Sequence, residues 1–126
     1  MAYFDRYGEA SDEPGRWANF SQLPELHLVP GIAFQPITTD SVMPHLVTFE
    51  PNAVADMHHQ SEQQIAIVIS GELTFTVGDE TRVTHAGDCV VIPPHVPHGG
   101  QAGPEGCTAI DVFTQPRAGI VDAMTQ

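Results

Sequence analysis

The strongest pattern along the chain is MHHQSEQQIAIVISG, Met57 to Gly71, where a polar file runs directly into an apolar one. Ile65 to Ile69 is short, β-branched and bounded by a glycine, which predicts a buried strand. In an extended segment alternate residues share a face. His58, Gln60, Glu62 and Gln64 then lie on one side, and His59, Ser61 and Gln63 on the other. The first file holds an imidazole, two amides and a carboxylate. Polar groups buried this way require partners. Either a metal ion or polar ligand, or a network of side-chain hydrogen bonds, can supply them.

The same short-strand texture runs from Leu26 onward. LHLV, IAFQPI and HLVTF are β-rich, with Pro30–Gly31, Thr39–Asp40 and Pro51–Asn52 between them. In ELTFTV, Leu73, Phe75 and Val77 alternate with threonines; turns at Gly78 and Gly87 then separate it from TRVTH and CVVIPP. HGGQAGPEG reads as a polar loop leading into CTAIDVF. Many short strands at regular spacing predict an all-β sandwich or barrel with little helix. The barrel is expected over residues 26–117, between an N-terminal arm, 1–25, and a C-terminal tail, 118–126. Trp17 and Phe20 either tack the arm onto the barrel, tack it onto a second subunit, or belong to a partly ordered tail.

Composition narrows the function classes. A chain of 126 residues, 41% hydrophobic, is enough for one domain with its own core. It carries 16 acidic residues against four arginines and no lysine, a net charge of −12. Such a charge repels phosphate backbones, so no nucleic-acid partner is expected. It also opposes anionic substrates at long range. Schiff-base chemistry through lysine is excluded, and anions must be held by Arg6, Arg16, Arg82, Arg117, backbone amides or a metal. No apolar run approaches the roughly 20 residues of a membrane span, and the first residues lack the apolar core of a secretory signal. With Cys89 and Cys107 as the only cysteines, reduced thiols in a cytoplasmic protein are expected. Edge strands and the apolar-studded arm predict a homodimer.

A second polar cluster, His95 and His98 in PPHVPHGG, follows CVVIPP. The order of strand, polar file, strand, hairpin, strand and histidine-bearing turn resembles the cupin superfamily, over roughly Leu46 to Arg117. Gly87, Pro93 and His98 match the second cupin motif, with His95 and Ala102 where that motif has glycine and asparagine. In the first motif, counting back from Gly71 puts Gln64 at the glutamate, Gln60 at the second histidine, His58 at the first and Asn52 at the opening glycine. IDVFTQPR and IPPHVPHG further resemble the KdgF-like pectin-degradation cupins, which also use glutamine in place of the motif glutamate.

The resemblance implies a single-domain cupin, a double-stranded β-helix or jelly-roll barrel. It implies a divalent metal (Zn, Ni, Fe or Mn) on His58, Gln60, Gln64 and His98, and pocket residues Asp111, Phe113 and Arg117. KdgF-like proteins convert unsaturated uronates to linear ketones, so a small carboxylated or keto substrate is implied. A wholly neutral ligand set leaves the ion its full charge as a Lewis acid, at a loss of affinity. Asp111 can carry protons, and Arg117 can grip a carboxylate in fork geometry. Plainer roles stand beside these: Asp111 with Arg117 as a structural ion pair, Phe113 as core, and His59 and His95 as surface residues. Glu62 shares the face of the ligands, and His45 on HLVTF is a further candidate for the nitrogen missing at Gln60. Three competing functions are a small cupin cyclase or isomerase of polyketide-type metabolism, a non-catalytic binding cupin, and a dioxygenase. An apolar, aromatic-rich pocket favours the cyclase or isomerase over a sugar-acid enzyme.

Overall fold

The structure, a computed structural model, describes residues 8–124. Arg6, one of the four arginines, lies outside them. Eight strands follow one another: β1 (Leu26–Val29), β2 (Ile32–Pro36), β3 (Met43–Phe49), β4 (Val54–His58), β5 (Gln64–Val77), β6 (Glu80–His85), β7 (Cys89–Ile92) and β8 (His98–Phe113). A short helix, α1 (Ala118–Met124), closes the described chain. The strands pair antiparallel in the order β1-β2-β3-β8-β5-β6, with β4 against β8 and β7 against β5. The result is an all-β barrel, one of the two forms the strand pattern predicts, and of the jelly-roll type that the resemblance implies.

Alternation decides which side chains enter the barrel. Along β3, Met43, His45, Val47 and Phe49 are buried, while Pro44 and Leu46 are half-buried and Thr48 is exposed. Along the start of β5, Gln64, Ala66 and Val68 point in and the three isoleucines point outward. One core cluster joins Ile32, Val47, Phe49, Val68, Leu73, Ala102 and Cys107; a smaller one joins Met43, Phe113 and Ile120 of α1. Strands β2, β3, β5 and β8 thus supply most of the interior, β6 buries no side chain fully, and a row of polar residues is buried with the core.

Two features depart from the sequence expectations. Gly71 does not end its strand, because β5 runs through it with φ +79. HGGQAGPEG is not a loop; it is the first half of β8, paired to both β4 and β5. The glycines explain both. A Cβ at Gly71 would meet the Gly106 carbonyl oxygen at 2.2 Å, and one at Gly99 would meet the Ala55 carbonyl oxygen at 2.7 Å. Composition alone reads such glycines as loop residues, whereas here they let neighbouring backbones close up.

The arm is only partly tied down. Gln35, buried on β2, donates to the carbonyls of Phe20 and Leu23 at 2.6 and 3.0 Å. The guanidinium of Arg16 donates to the Thr38 carbonyl. Trp17 is 97% exposed.

Gly71→Ala is expected to destabilise the fold by at least about 3 kcal/mol, since left-handed strain and a backbone clash add together. Gly87→Ala, also at positive φ but with open space around it, should cost roughly 1 kcal/mol from strain alone. Urea midpoints of the two variants check this, and equal shifts would contradict the close approach of β5 and β8. If pairing of subunits runs through the arm, light scattering gives a dimer mass for the native chain. Trp17→Ala then gives a monomer mass; an unchanged mass would remove Trp17 from the interface.

Candidate functional site

A cavity of about 280 Å³ opens within the barrel. His58 reaches it from the end of β4, Gln64 from the start of β5, His98 from the start of β8, and Asp111 and Phe113 from its end. Arg117, just before α1, lines it too; its backbone carbonyl accepts from the N–H groups of Ile120 and Val121 as the helix begins. The remainder is largely apolar, with Phe34, Phe49, Phe75 and Leu73 on the walls.

His58 and His98 are direct partners across the β4–β8 ladder, and their ring centroids lie 4.3 Å apart. The His58 Nδ1–H donates to the Asp56 carbonyl at 2.7 Å, and the His98 Nδ1–H to the Val96 carbonyl at 2.9 Å. A carbonyl can only accept, so each neutral imidazole has its proton on Nδ1 and a bare lone pair on Nε2. The Nε2 of His98 is buried with no hydrogen-bond partner. Burial also lowers the His98 pKa, the Val96 hydrogen bond opposing it and the nearby His58, Arg117 and His59 adding to it. Two imidazoles, each oriented by a backbone carbonyl through Nδ1, suit a divalent cation at Nε2, as is usual at such sites. Among the described residues no three His, Cys, Asp or Glu side chains gather as a metal site. Gln64 lines the same cavity and brings an amide side chain to it.

Gln60 stands apart from the cavity lining. Its Nε2 donates to the Glu62 carbonyl at 3.1 Å and, more loosely, to Gln64 Oε1 at 3.4 Å. Gln60 thus positions Gln64. Glu62 is buried as well, with Ser61 Oγ donating to its carboxylate, and is also outside the cavity lining. The two-residue alternation holds as burial: Gln60, Glu62 and Gln64 are buried and His58 half-buried, while His59 and Ser61 are exposed. His59 and His95 face each other outside, centroids 6.2 Å apart.

Asp111 lines the cavity together with His45, His58, His98 and Arg117. It is half-buried, and burial pushes its carboxyl up to about 6, while a hydrogen bond from the Gln64 side chain and the charge of Arg117 act in the opposite sense. The Arg117 guanidinium sits over the Phe113 ring, 5.5 Å from its centroid. Phe113 is both core and cavity wall, being 2% exposed and packed with Met43 and Ile120.

On β3, His45 is the direct cross-strand partner of Asp111 and lines the same cavity. Its ring lies 4.9 Å from the Phe113 ring and edge-on to Phe34 at 6.4 Å. Burial, and then Arg117, lower its pKa to about 4, so it is neutral at physiological pH. Sequence reasoning did not find Phe34, Phe49 and Phe75. Alternation puts them on inner faces, but only the fold separates a residue that fills the core from one that borders a cavity.

Comparison with known proteins agrees with this architecture. The cupin domain family matches residues 45–113. An RmlC-like cupin from Shewanella frigidimarina superposes with a TM-score of 0.78 at 26% identity, over 85% of this chain and 96% of that one. KdgF from Halomonas sp. superposes with a TM-score of 0.78 at 27% identity, over 85% of this chain and 99% of that one. The H2HPP isomerase of Bacillus subtilis is 44% identical over 52 residues, 40% of this chain; the matched part spans 22% of that longer protein.

The two central titrations act on stability with opposite sign. Between about 4 and 6.5 the unfolded chain protonates His45 and the folded chain does not, so this residue lowers stability as pH falls. Between 3.8 and about 6 the folded chain holds a proton on Asp111 that the unfolded chain lacks, so this residue raises stability as pH falls. In His45→Phe only the second effect remains, and stability should rise from pH 6 to pH 4 relative to wild type by up to about 3 kcal/mol. In Asp111→Asn only the first remains, and stability should fall by a similar amount. Urea midpoints measured in chelator across this range check both signs; parallel profiles for the two variants would contradict the assignment.

Proposed function

The chain belongs to the cupin domain family, and from that premise we propose that it is a metal-dependent isomerase that moves a proton within a small carboxylated substrate. The observation that carries this is Asp111, a carboxyl pushed up to about 6 inside an apolar cavity that also presents two bare imidazole nitrogens. A base with its pKa near the working pH both takes and returns a proton efficiently.

His58, His98 and Gln64 would hold the divalent ion, with Gln60 fixing the Gln64 amide. When bound, such an ion supplies Lewis acidity toward a substrate oxygen. Arg117 pairs with the substrate carboxylate through its fork, and Phe113 beneath keeps the guanidinium plane in place. Asp111, ionised at neutral pH, takes a proton from a carbon next to the substrate carbonyl. The C–H electron pair moves into the conjugated carbonyl system. Asp111 then returns the proton at another position of that system, so no oxidant or reductant is consumed. Phe34, Phe49 and Phe75 exclude water from the intermediate.

The net charge of −12 repels an anion at a distance, but that field is screened over roughly 8 Å at physiological salt. A close arginine contact is not screened in this way, so the local site decides binding. Two substrate classes compete. The four phenylalanines of the cavity favour a keto acid with an apolar body, and the Bacillus subtilis relative is named an isomerase. The match along nearly the whole of KdgF from Halomonas sp. favours an unsaturated uronate. We place the apolar keto acid first, because a polyhydroxylated ring would find few polar partners on these walls.

Phenylpyruvate carries the required carboxylate, carbonyl and apolar body. With Zn, Ni, Mn or Fe supplied, the protein is expected to exchange its C3 protons with deuterium in heavy water, followed by proton NMR. Asp111→Asn should lower kcat by about a hundredfold with little change in KM. Arg117→Lys should instead raise KM by about tenfold or more, since lysine keeps the charge and loses the fork. Loss of ultraviolet absorbance from an unsaturated uronate, without exchange on phenylpyruvate, would shift the assignment to the uronate. Neither activity above the non-enzymatic rate would end the isomerase proposal.

A further inference from the structure

We infer that His45 is a specificity-determining residue, whose imidazole hydrogen-bonds an oxygen substituent on the apolar part of the substrate, remote from the carboxylate. This rests on the assignment of Asp111 as the reacting base and Arg117 as the carboxylate anchor. It concerns a group that neither the proton transfer nor the proposed metal seat uses.

Three observations support it. His45 is 1% exposed, yet both Nδ1 and Nε2 lack any hydrogen-bond partner. A neutral imidazole has one donor and one acceptor, and leaving a buried polar group unmade costs roughly 1–3 kcal/mol. A leucine or phenylalanine would fill this position without that cost. Second, the ring lines the cavity rather than the sealed core, so a bound molecule can reach it. Third, the position is distinctive. Asp111 on β8 lies between two strands, with His45 directly across on β3 and Ala66 directly across on β5. Gln64, which hydrogen-bonds Asp111, approaches from the β5 side. His45 therefore approaches from the opposite side, in the limb bounded by Phe34 and Phe113.

The contacts of Phe113 limit the span. His45 and the Arg117 guanidinium both lie against that ring, so they are no more than about 10 Å apart. A six-membered ring with a short carboxylated side chain is long enough to bridge any separation within that limit. Held at Arg117 by its carboxylate, the molecule presents the far end of its ring to His45. A hydroxyl facing one ring nitrogen can accept from it as N–H or donate to it as the bare nitrogen, according to the tautomer; a carbonyl can accept only. The substrate class is thus a keto acid whose ring carries a hydroxyl or carbonyl oxygen. An unsubstituted ring leaves the imidazole unpaired, which a buried site penalises strongly.

Binding of phenylpyruvate and 4-hydroxyphenylpyruvate, measured by calorimetry on the metal-loaded protein, tests this without requiring turnover. Wild type is expected to favour the hydroxylated compound by about tenfold or more. In His45→Phe and His45→Leu the preference should disappear, with phenylpyruvate affinity kept within about twofold. His45→Gln, which retains a donor and an acceptor, should keep part of it. Metal content by elemental analysis should be equal in all four proteins, and both apolar variants should be at least as stable as wild type at neutral pH. No preference in wild type, no binding of either compound, or a preference that survives His45→Phe and His45→Leu would each overturn the inference. So would equal loss of both ligands together with loss of stability, which marks a structural residue. Failure of deuterium exchange with the preference intact would instead count against the isomerase assignment alone.

Discussion

The hydrogen-bonded ladder between β5 and β8 is the constraint on which the rest depends. It runs from Gln64 opposite Phe113 to Val77 opposite His98, so one strand pair carries residues from both ends of the site. β8 also pairs with β3 and β4, which sets His45 opposite Asp111 and His58 opposite His98. The approach is close because a Cβ at Gly71 would run into the backbone of Gly106 and Cys107, and one at Gly106 into the Phe49 carbonyl of β3; both glycines have positive φ. A register slip of one residue on β8 would turn Asp111 and Phe113 away from the cavity together.

Within that frame, each polar group of the interior finds its partner, or lacks one, for a local reason. His58 and His98 are fixed by carbonyls two residues earlier in their own chain, so their orientation needs no distant support. Gln60, Gln64 and Asp111 form a relay of amide and carboxylate contacts that ends on the half-buried acid. His98 Nε2, both nitrogens of His45 and Gln60 Oε1 are left open. Open polar atoms in an otherwise satisfied interior are concentrated where a ligand completes them. The apolar walls have a second effect: they raise the carboxyl of Asp111 and lower His45 and His98, keeping the imidazoles neutral and the acid near its working range.

Much of this was legible in the sequence because the signals are local. Period-two alternation placed the strands, and the burial of Gln60, Glu62 and Gln64 follows the alternation of their file, although residues 59–63 bend rather than continue as strand. Asp111, Phe113 and Arg117 came from resemblance, not from composition, and all three line the cavity. Gln60 could not be placed from spacing, because a bend turns its amide toward Glu62 and Gln64. The first half of β8 was missed because its glycines read as a loop until the neighbouring backbones are known. The orphaned state of His45 depends on what β2 and β8 place around it, and no pattern along one strand carries that information.

In the proposed function, the bare nitrogens of His58 and His98, with the Gln64 amide, would seat a divalent ion in the cavity that Asp111 lines. Elemental analysis of the purified protein, repeated on His98→Ala and Gln60→Ala, tests it most directly. About one divalent ion per chain is expected in the wild type, almost none in His98→Ala, and a reduced but measurable content in Gln60→Ala. A wild-type protein that carries no metal, and gains no thermal stability when Zn, Ni, Mn or Fe is added, would contradict it.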